Sequence, residues 1–160
     1  MSTHPFKQSK LYTLVFVVKG EKVLLGLKKR GFAKGKYNGF GGKLESNETL
    51  IECAQRELKE EANIEATNLK ELGYIEFDYD SLEYSMKVYI YLATDFNGIP
   101  KSSDEMEPKW FHVNAIPYEL MLSDTQHWLP KVLQSQFLNG YFRYNNENQI
   151  VEQKFHMISD

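Results

Sequence analysis

The sequence holds a single cysteine, Cys53, so no disulfide can form within the chain, and a lone thiol fits a reducing compartment. No apolar run approaches the roughly 20 residues that a membrane-spanning helix needs. Residues 1–10 are polar and lack the apolar stretch of a secretion signal, so the expected location is cytoplasmic. An excess of positive charge is missing as well. The 19 Lys and Arg stand against 22 Asp and Glu, a formal net charge of −3. That balance gives no general attraction to nucleic-acid polymers or to membrane surfaces, and neither is expected as a partner. Internal repeats and low-complexity linkers are also absent. The 160 residues therefore read as one domain spanning 1–160, expected to act as a monomer.

What is present suffices for a sizeable core, because 42% of the residues are hydrophobic and 14% aromatic. Residues 12–18 (YTLVFVV) form a β-rich run that reads as a buried strand. Lys19-Gly20-Glu21-Lys22 is a turn into a second strand over 23–27. Residues 31–42 carry five glycines and read as a loop broken by a short extended piece. A helix is predicted from Thr49 to Ala62, with Thr49 and Glu52 as a capping box and Asn63 as a left-handed C-cap. Strands follow over 70–79, 85–94 and 109–113. Residues 123–138 look helical, with a kink or break at Pro130, and 141–144 and 149–156 read as a closing hairpin. This order predicts an α/β fold, a sandwich around a mixed β-sheet.

The chemistry concentrates in the predicted helix. At about 100° per residue, Leu50, Ala54 and Leu58 form an apolar stripe flanked by Ile51 and Cys53. Glu57 and Glu61 fall on or beside that stripe, and Glu60 lies just off its edge. Glu52, Gln55, Arg56 and Lys59 form the opposite, solvated face. Carboxylates on the buried side of a helix are costly unless compensated, and three anions so spaced repel one another. A hard divalent cation removes both penalties, because it favours carboxylate oxygens. Charge count alone favours a plain acidic surface; the wheel position shifts the balance toward a metal site.

The full pattern is Gly42, five residues, Glu48, seven residues, then Arg56-Glu57-Leu58-x-Glu60-Glu61-x-Asn63-Ile64. It resembles the Nudix box, G-x5-E-x7-R-E-U-x-E-E-x-G-U with U apolar, and departs from it only where Asn63 stands for Gly. Both residues tolerate a left-handed cap. The resemblance implies a Nudix-type α/β/α sandwich and a pyrophosphohydrolase. Glu57, Glu60 and Glu61 would ligate Mg²⁺, with Mn²⁺ as the alternative, and one of them would orient or deprotonate the attacking water. The Gly41 carbonyl would be a further ligand. Arg56 would position the carboxylates and Glu48 would pair within the loop–helix unit. Glu105, in Ser103-Asp104-Glu105-Met106, matches a further metal ligand or water-activating carboxylate of close relatives, although alone it reads as surface charge.

Residues 28–43 carry six basic residues and no acidic one, a local positive patch ahead of the helix that could draw in a polyphosphate. Lys28, at a strand end, is the candidate phosphate contact. Outside the box, Lys28-Lys29-Arg30-Gly31-Phe32, Asn38-Gly39-Phe40-Gly41-Gly42-Lys43, Ser103-Asp104-Glu105-Met106 and Gly140-Tyr141-Phe142 resemble the eukaryotic-type MutT-homologue branch of the family. Those enzymes hydrolyse oxidised purine nucleoside triphosphates such as 8-oxo-dGTP. By that likeness the base pocket would use Thr13, Phe32, Asn38, Phe77, Tyr79, Met86, Asp124 and Trp128, and the substrate would be a small nucleoside triphosphate. Without the likeness, Phe77, Tyr79, Met86 and Trp128 read as ordinary core. Two positions depart from that branch, where Leu122 stands for a Trp and Thr125 for a second Asp. They put the oxidised-purine preference, not the hydrolysis, in question. Two other readings stay open: a Nudix hydrolase of another nucleoside diphosphate-linked substrate, and a fold that only binds nucleotide.

Overall fold

The run of β-branched and aromatic residues in β1 (Ser9–Lys19) is the spine of the molecule. Its alternate residues go to opposite sides: Leu14 and Phe16 join one buried cluster, Val15 and Val17 the other. A strand covered on both faces reads as an unbroken apolar run, and this one does. The computed structural model describes residues 7–158, with side chains to residue 156; residues 1–6 of the polar N-terminal segment lie outside that part.

After β1 come β2 (Lys22–Lys28), β3 (Tyr37–Asn38), β4 (Phe40–Lys43), α1 (Leu50–Ala62), β5 (Glu65–Ala66), β6 (Lys70–Tyr79) and β7 (Ser85–Ala93). They are followed by β8 (Phe96–Asn97), β9 (Met106–His112), a 3₁₀ turn (Tyr118–Leu120), α2 (Thr125–Val132), β10 (Phe137–Tyr144) and β11 (Ile150–Ile158). The main sheet runs β11-β10-β6-β7-β1-β2-β3, with β4 added on β1 and β9 on β2. The β1–β7 and β10–β6 pairs are parallel and the other pairs antiparallel, so the sheet is mixed. Ala54, Leu58 and Ala62 of α1 seal one face against Val15, Val17 and Leu24. Trp128, Leu129 and Val132 of α2 seal the other against Phe16, Ile75 and Phe142. The layers are therefore helix, sheet, helix.

The capping box at Thr49 and Glu52 is formed, and Asn63 takes the left-handed cap with its N–H on the Lys59 carbonyl. The second predicted helix is halved. It spans Thr125–Val132 with Pro130 inside, and Ser135 at φ 58° turns the chain into β10. Phe137 and Leu138, assigned to the helix from their apolar character, belong to β10, where Leu138 pairs with Gly73 of β6. The closing hairpin is longer than predicted for the same reason. The two-residue ladder between β5 and β8 has no counterpart in the sequence reading.

Candidate active site

The site begins where β4 lies along β1. Leu44 N–H donates to the Leu11 carbonyl, and Thr13 stands opposite Gly42 and Leu14 opposite Gly41. Hydrogen-bonded and open pairs alternate in an antiparallel ladder, so Gly41 turns its N–H and C=O away from β1. That N–H donates to Glu61 of α1 at 2.9 Å. The strand and helix approach so closely that a side chain at Gly42 would put its Cβ 2.5 Å from the Glu57 carboxylate. At Gly41 the clash would be with the Thr13 carbonyl. Close approach, not a left-handed backbone, explains glycine at these two positions.

Glu61 is 6% exposed. Burial pushes its carboxyl up to about 7, against the Gly41 N–H and Lys28, with Glu57 and Glu105 adding to the rise. Burial also raises Glu57, opposed by Arg56. Two carboxyl groups one helical turn apart, Glu61 buried and Glu57 half-buried, thus sit beside an outward-facing carbonyl. Hard oxygen donors with incomplete compensation are what a divalent cation fits. Among the described residues no three carboxylates, histidines or cysteines already converge on one point.

Arg56 explains part of that. The sequence put it on a solvated face, yet it is half-buried and serves as the hub of the acidic cluster. Its Nε donates to Glu48 Oε2 at 2.6 Å, one terminal nitrogen to Glu48 Oε1 at 3.1 Å, and the other to Glu57 at 2.9 Å. Glu60, 57% exposed, lies on the same guanidinium at 3.3 Å. Arg56 holds Glu48 down to about 2. Gln55, also expected in solvent, bonds the backbone of Ala66, while Ile51, expected on the buried flank, is exposed.

Glu105 stands on the facing loop. Arg30 approaches it at 2.6 Å and Lys28 at 3.5 Å, and Arg30 keeps its carboxyl below the usual range. Lys29 reinforces the link through its N–H to the Glu105 carbonyl and its ammonium to the Ser103 carbonyl. The segment carrying Phe32 is therefore stitched to the segment carrying Glu105.

On the α2 side of the sheet is a cavity of about 220 Å³. It brings together Thr13, Lys28, Phe32, Asn38, Phe77, Tyr79, Met86, Asp124 and Trp128, all the residues proposed from sequence for substrate. Two are oriented differently from expectation. The Thr13 hydroxyl is turned to the α1 side, 3.3 Å from Cys53 Sγ, because β1 alternates and Thr13 shares the face of Val15. Trp128 is buried, its indole N–H donating to Asp124 Oδ2 at 2.7 Å. Phe32 is 63% exposed and meets Tyr79 edge-on at 5.7 Å, forming an outer wall. The sequence reading missed Tyr12, Leu14, Ala33 and Val88 among the walls, and it missed Tyr144, which bonds Asp124 from behind. The alternation along β10 marks Tyr144 as buried, but only the register with β6 brings it to Tyr79.

A smaller cavity adjoins the first. Lys28, Asn38, Gly41 and Leu122 line both, and Glu61 lines the smaller one. A mostly apolar cavity thus adjoins one lined by Lys28, Lys36 and Glu61.

A NUDIX domain model matches residues 9–135. The oxidized purine nucleoside triphosphate hydrolase of Danio rerio is 43% identical over 152 residues, covering 95% of this chain and 97% of that protein. Its Mus musculus namesake is 40% identical over 143 residues, covering 89% and 92%. Among solved structures, the Mutator MutT protein from Bacillus halodurans gives a TM-score of 0.79 at 27% identity, covering 91% of this chain and 97% of that one.

Proposed function

We propose that this chain, which belongs to the Nudix family, hydrolyses oxidised purine nucleoside triphosphates to the monophosphate and pyrophosphate. It would act as a cytoplasmic monomer that clears damaged nucleotides from the pool. The observation that carries the reading is that the larger cavity and the one lined by Glu61 share walls at Lys28, Asn38 and Gly41. A purine in the larger cavity sends its triphosphate past Lys28 toward the carboxylates.

Enzymes of this family work with a divalent metal ion, and Mg²⁺ is the proposed one, with Mn²⁺ as the alternative. Glu57, Glu61 and the Gly41 carbonyl would hold it, with Glu60 and Glu105 as the remaining oxygen donors. When bound, it supplies positive charge to the phosphates and acidity to bound water. The protein's own groups do the rest. Arg56 keeps Glu57 and Glu60 on one side of α1. Lys28 offers its ammonium to the phosphates. One of Glu57, Glu60, Glu61 and Glu105 would also take a proton from the attacking water. Phe32, Phe77 and Met86 enclose the ring faces, while Asn38 and Asp124 offer polar atoms to its edge. Support for this substrate comes from the two relatives, each an oxidized purine nucleoside triphosphate hydrolase.

A turnover screen of nucleoside triphosphates with Mg²⁺, products identified by chromatography, tests the proposal. The expected result is release of pyrophosphate and monophosphate from 8-oxo-dGTP or 2-oxo-dATP. If no purine triphosphate is cut while a nucleotide sugar or dinucleoside polyphosphate turns over quickly, the substrate assignment is wrong.

A further inference from the structure

Asp124 is the most deeply buried carboxylate in the cavity wall, 1% exposed, and both its oxygens are engaged from behind. The Trp128 indole reaches Oδ2 at 2.7 Å. The Tyr144 hydroxyl sits on Oδ1 and also accepts the Asp124 backbone N–H at 3.1 Å. These partners have fixed polarity. An indole N–H can only donate, so Oδ2 must accept. The Tyr144 oxygen already receives the N–H, which leaves its single hydrogen directed at Oδ1. Tyr144 itself has little freedom, since its ring stacks on Tyr79 at 5.0 Å and 13° and the two stand in register on β10 and β6.

We propose that Tyr144 is a specificity-determining positioning residue: with Trp128 it fixes Asp124 as a double hydrogen-bond acceptor, so the cavity selects purine edges that carry two adjacent N–H donors. Both bonds favour the ionised form against burial, which pushes the carboxyl up; in that form one of the two lone-pair sites on each oxygen remains for the base. Guanine, with N1–H beside its 2-amino group, offers such an edge. Adenine offers N6–H beside the acceptor N1, which a fixed acceptor repels. The 2-oxo form of adenine turns N1 into a donor and regains the match. The inference rests on the reading of this cavity as the base site, and Tyr144 touches the base only through Asp124.

The test measures binding of monophosphates by the metal-free protein, so it does not depend on turnover. Wild type should bind dGMP and 2-oxo-dAMP more tightly than dAMP. Tyr144→Phe removes only the hydroxyl, and the dGMP-to-dAMP preference should fall about tenfold, the scale of one hydrogen bond to a charged group. Trp128→Phe removes the other donor and should move the ratio the same way, which keeps the test alive if one variant fails to fold. Asp124→Asn, which turns one acceptor into a donor, should abolish the preference. In turnover of the triphosphates the change should fall on KM and leave kcat within about twofold, a split that general loosening would not give. An unchanged binding ratio in folded Tyr144→Phe and Trp128→Phe overturns the inference, as does equal weakening of all three ligands. Retained base preference with no hydrolysis of any triphosphate would count against the proposed reaction while supporting this role for Tyr144.

Discussion

Glu61 has the most consequential environment of any single residue. It sits in a nearly dry position, with one backbone N–H and the charge of Lys28 against it. Glu61→Gln keeps the shape and the bond to Gly41 while removing the charge and the proton-accepting ability. Turnover should fall by about 10²-fold or more, with the circular dichroism spectrum unchanged; near-normal turnover by the folded variant would refute the role given to Glu61. The same residue sets a pH dependence in the metal-free protein. Its folded carboxyl lies near 7 against an ordinary value of 4.5, so the folded state favours the protonated form. The associated stability is complete below the unfolded value and is lost as pH rises toward 7. In EDTA, Glu61→Gln should therefore melt higher than wild type at pH 8 and at the same temperature near pH 4. Equal melting at pH 8 would mean that the charged form is not penalised.

At the scale of the element, α1 carries both the stability and the chemistry of its side of the sheet. Its carboxylates make the metal-free helix a strained one, and a cation that binds only the folded site stabilises by mass action. Millimolar Mg²⁺ should raise the thermal midpoint, and Glu57→Gln should blunt the rise; a wild-type midpoint that ignores Mg²⁺ would argue against a preformed site. The helix start is separable from that effect. Thr49→Ala breaks the capping box and should cost about 1 kcal/mol in urea denaturation. This element was the most legible one in the sequence, because caps, stripe and carboxylate spacing are all local. Where the sequence misled, a distant partner decided. Phe137 and Leu138 continue a helical apolar pattern, but β11 pairs with Phe137 and β6 claims Leu138 from more than 60 residues away. Arg56 reads as solvated until Glu48, eight residues back, curls beneath it. The residues of the base cavity could be named by likeness, but not the direction of Thr13 or the bond from Tyr144, which depend on strand parity and on register.

At the scale of the whole molecule, three cavities share one wall. Leu122 lines the base cavity, the smaller one beside it and a larger outer groove of about 700 Å³. An aliphatic side chain there offers contact without a stacking plane, and neighbouring Thr125 is buried and uncharged. Leu122→Trp with Thr125→Asp should raise kcat/KM for 8-oxo-dGTP and 2-oxo-dATP relative to dGTP and dATP. The new indole supplies about 0.5–1.5 kcal/mol of stacking, and the new carboxylate a charge-assisted contact. It should also lower the thermal midpoint, since a carboxylate at a position 3% exposed must be desolvated. A double variant with unchanged substrate ratios would show that this wall does not select.

The parallel seating of β10 beside β6 has a consequence for what a partial opening of the protein would cost. The strands around the carboxylate site, β1, β2, β4 and β9, are all complete by His112. The base cavity needs Asp124, Trp128 and Tyr144, and Tyr144 reaches its place only when β10 docks on β6. Of the two, only the base cavity therefore depends on the last strands of the chain. An opening that lifts β10 and β11 would unlatch Asp124 while leaving α1 seated, so a partly opened molecule is expected to lose its choice of base before its hold on phosphate.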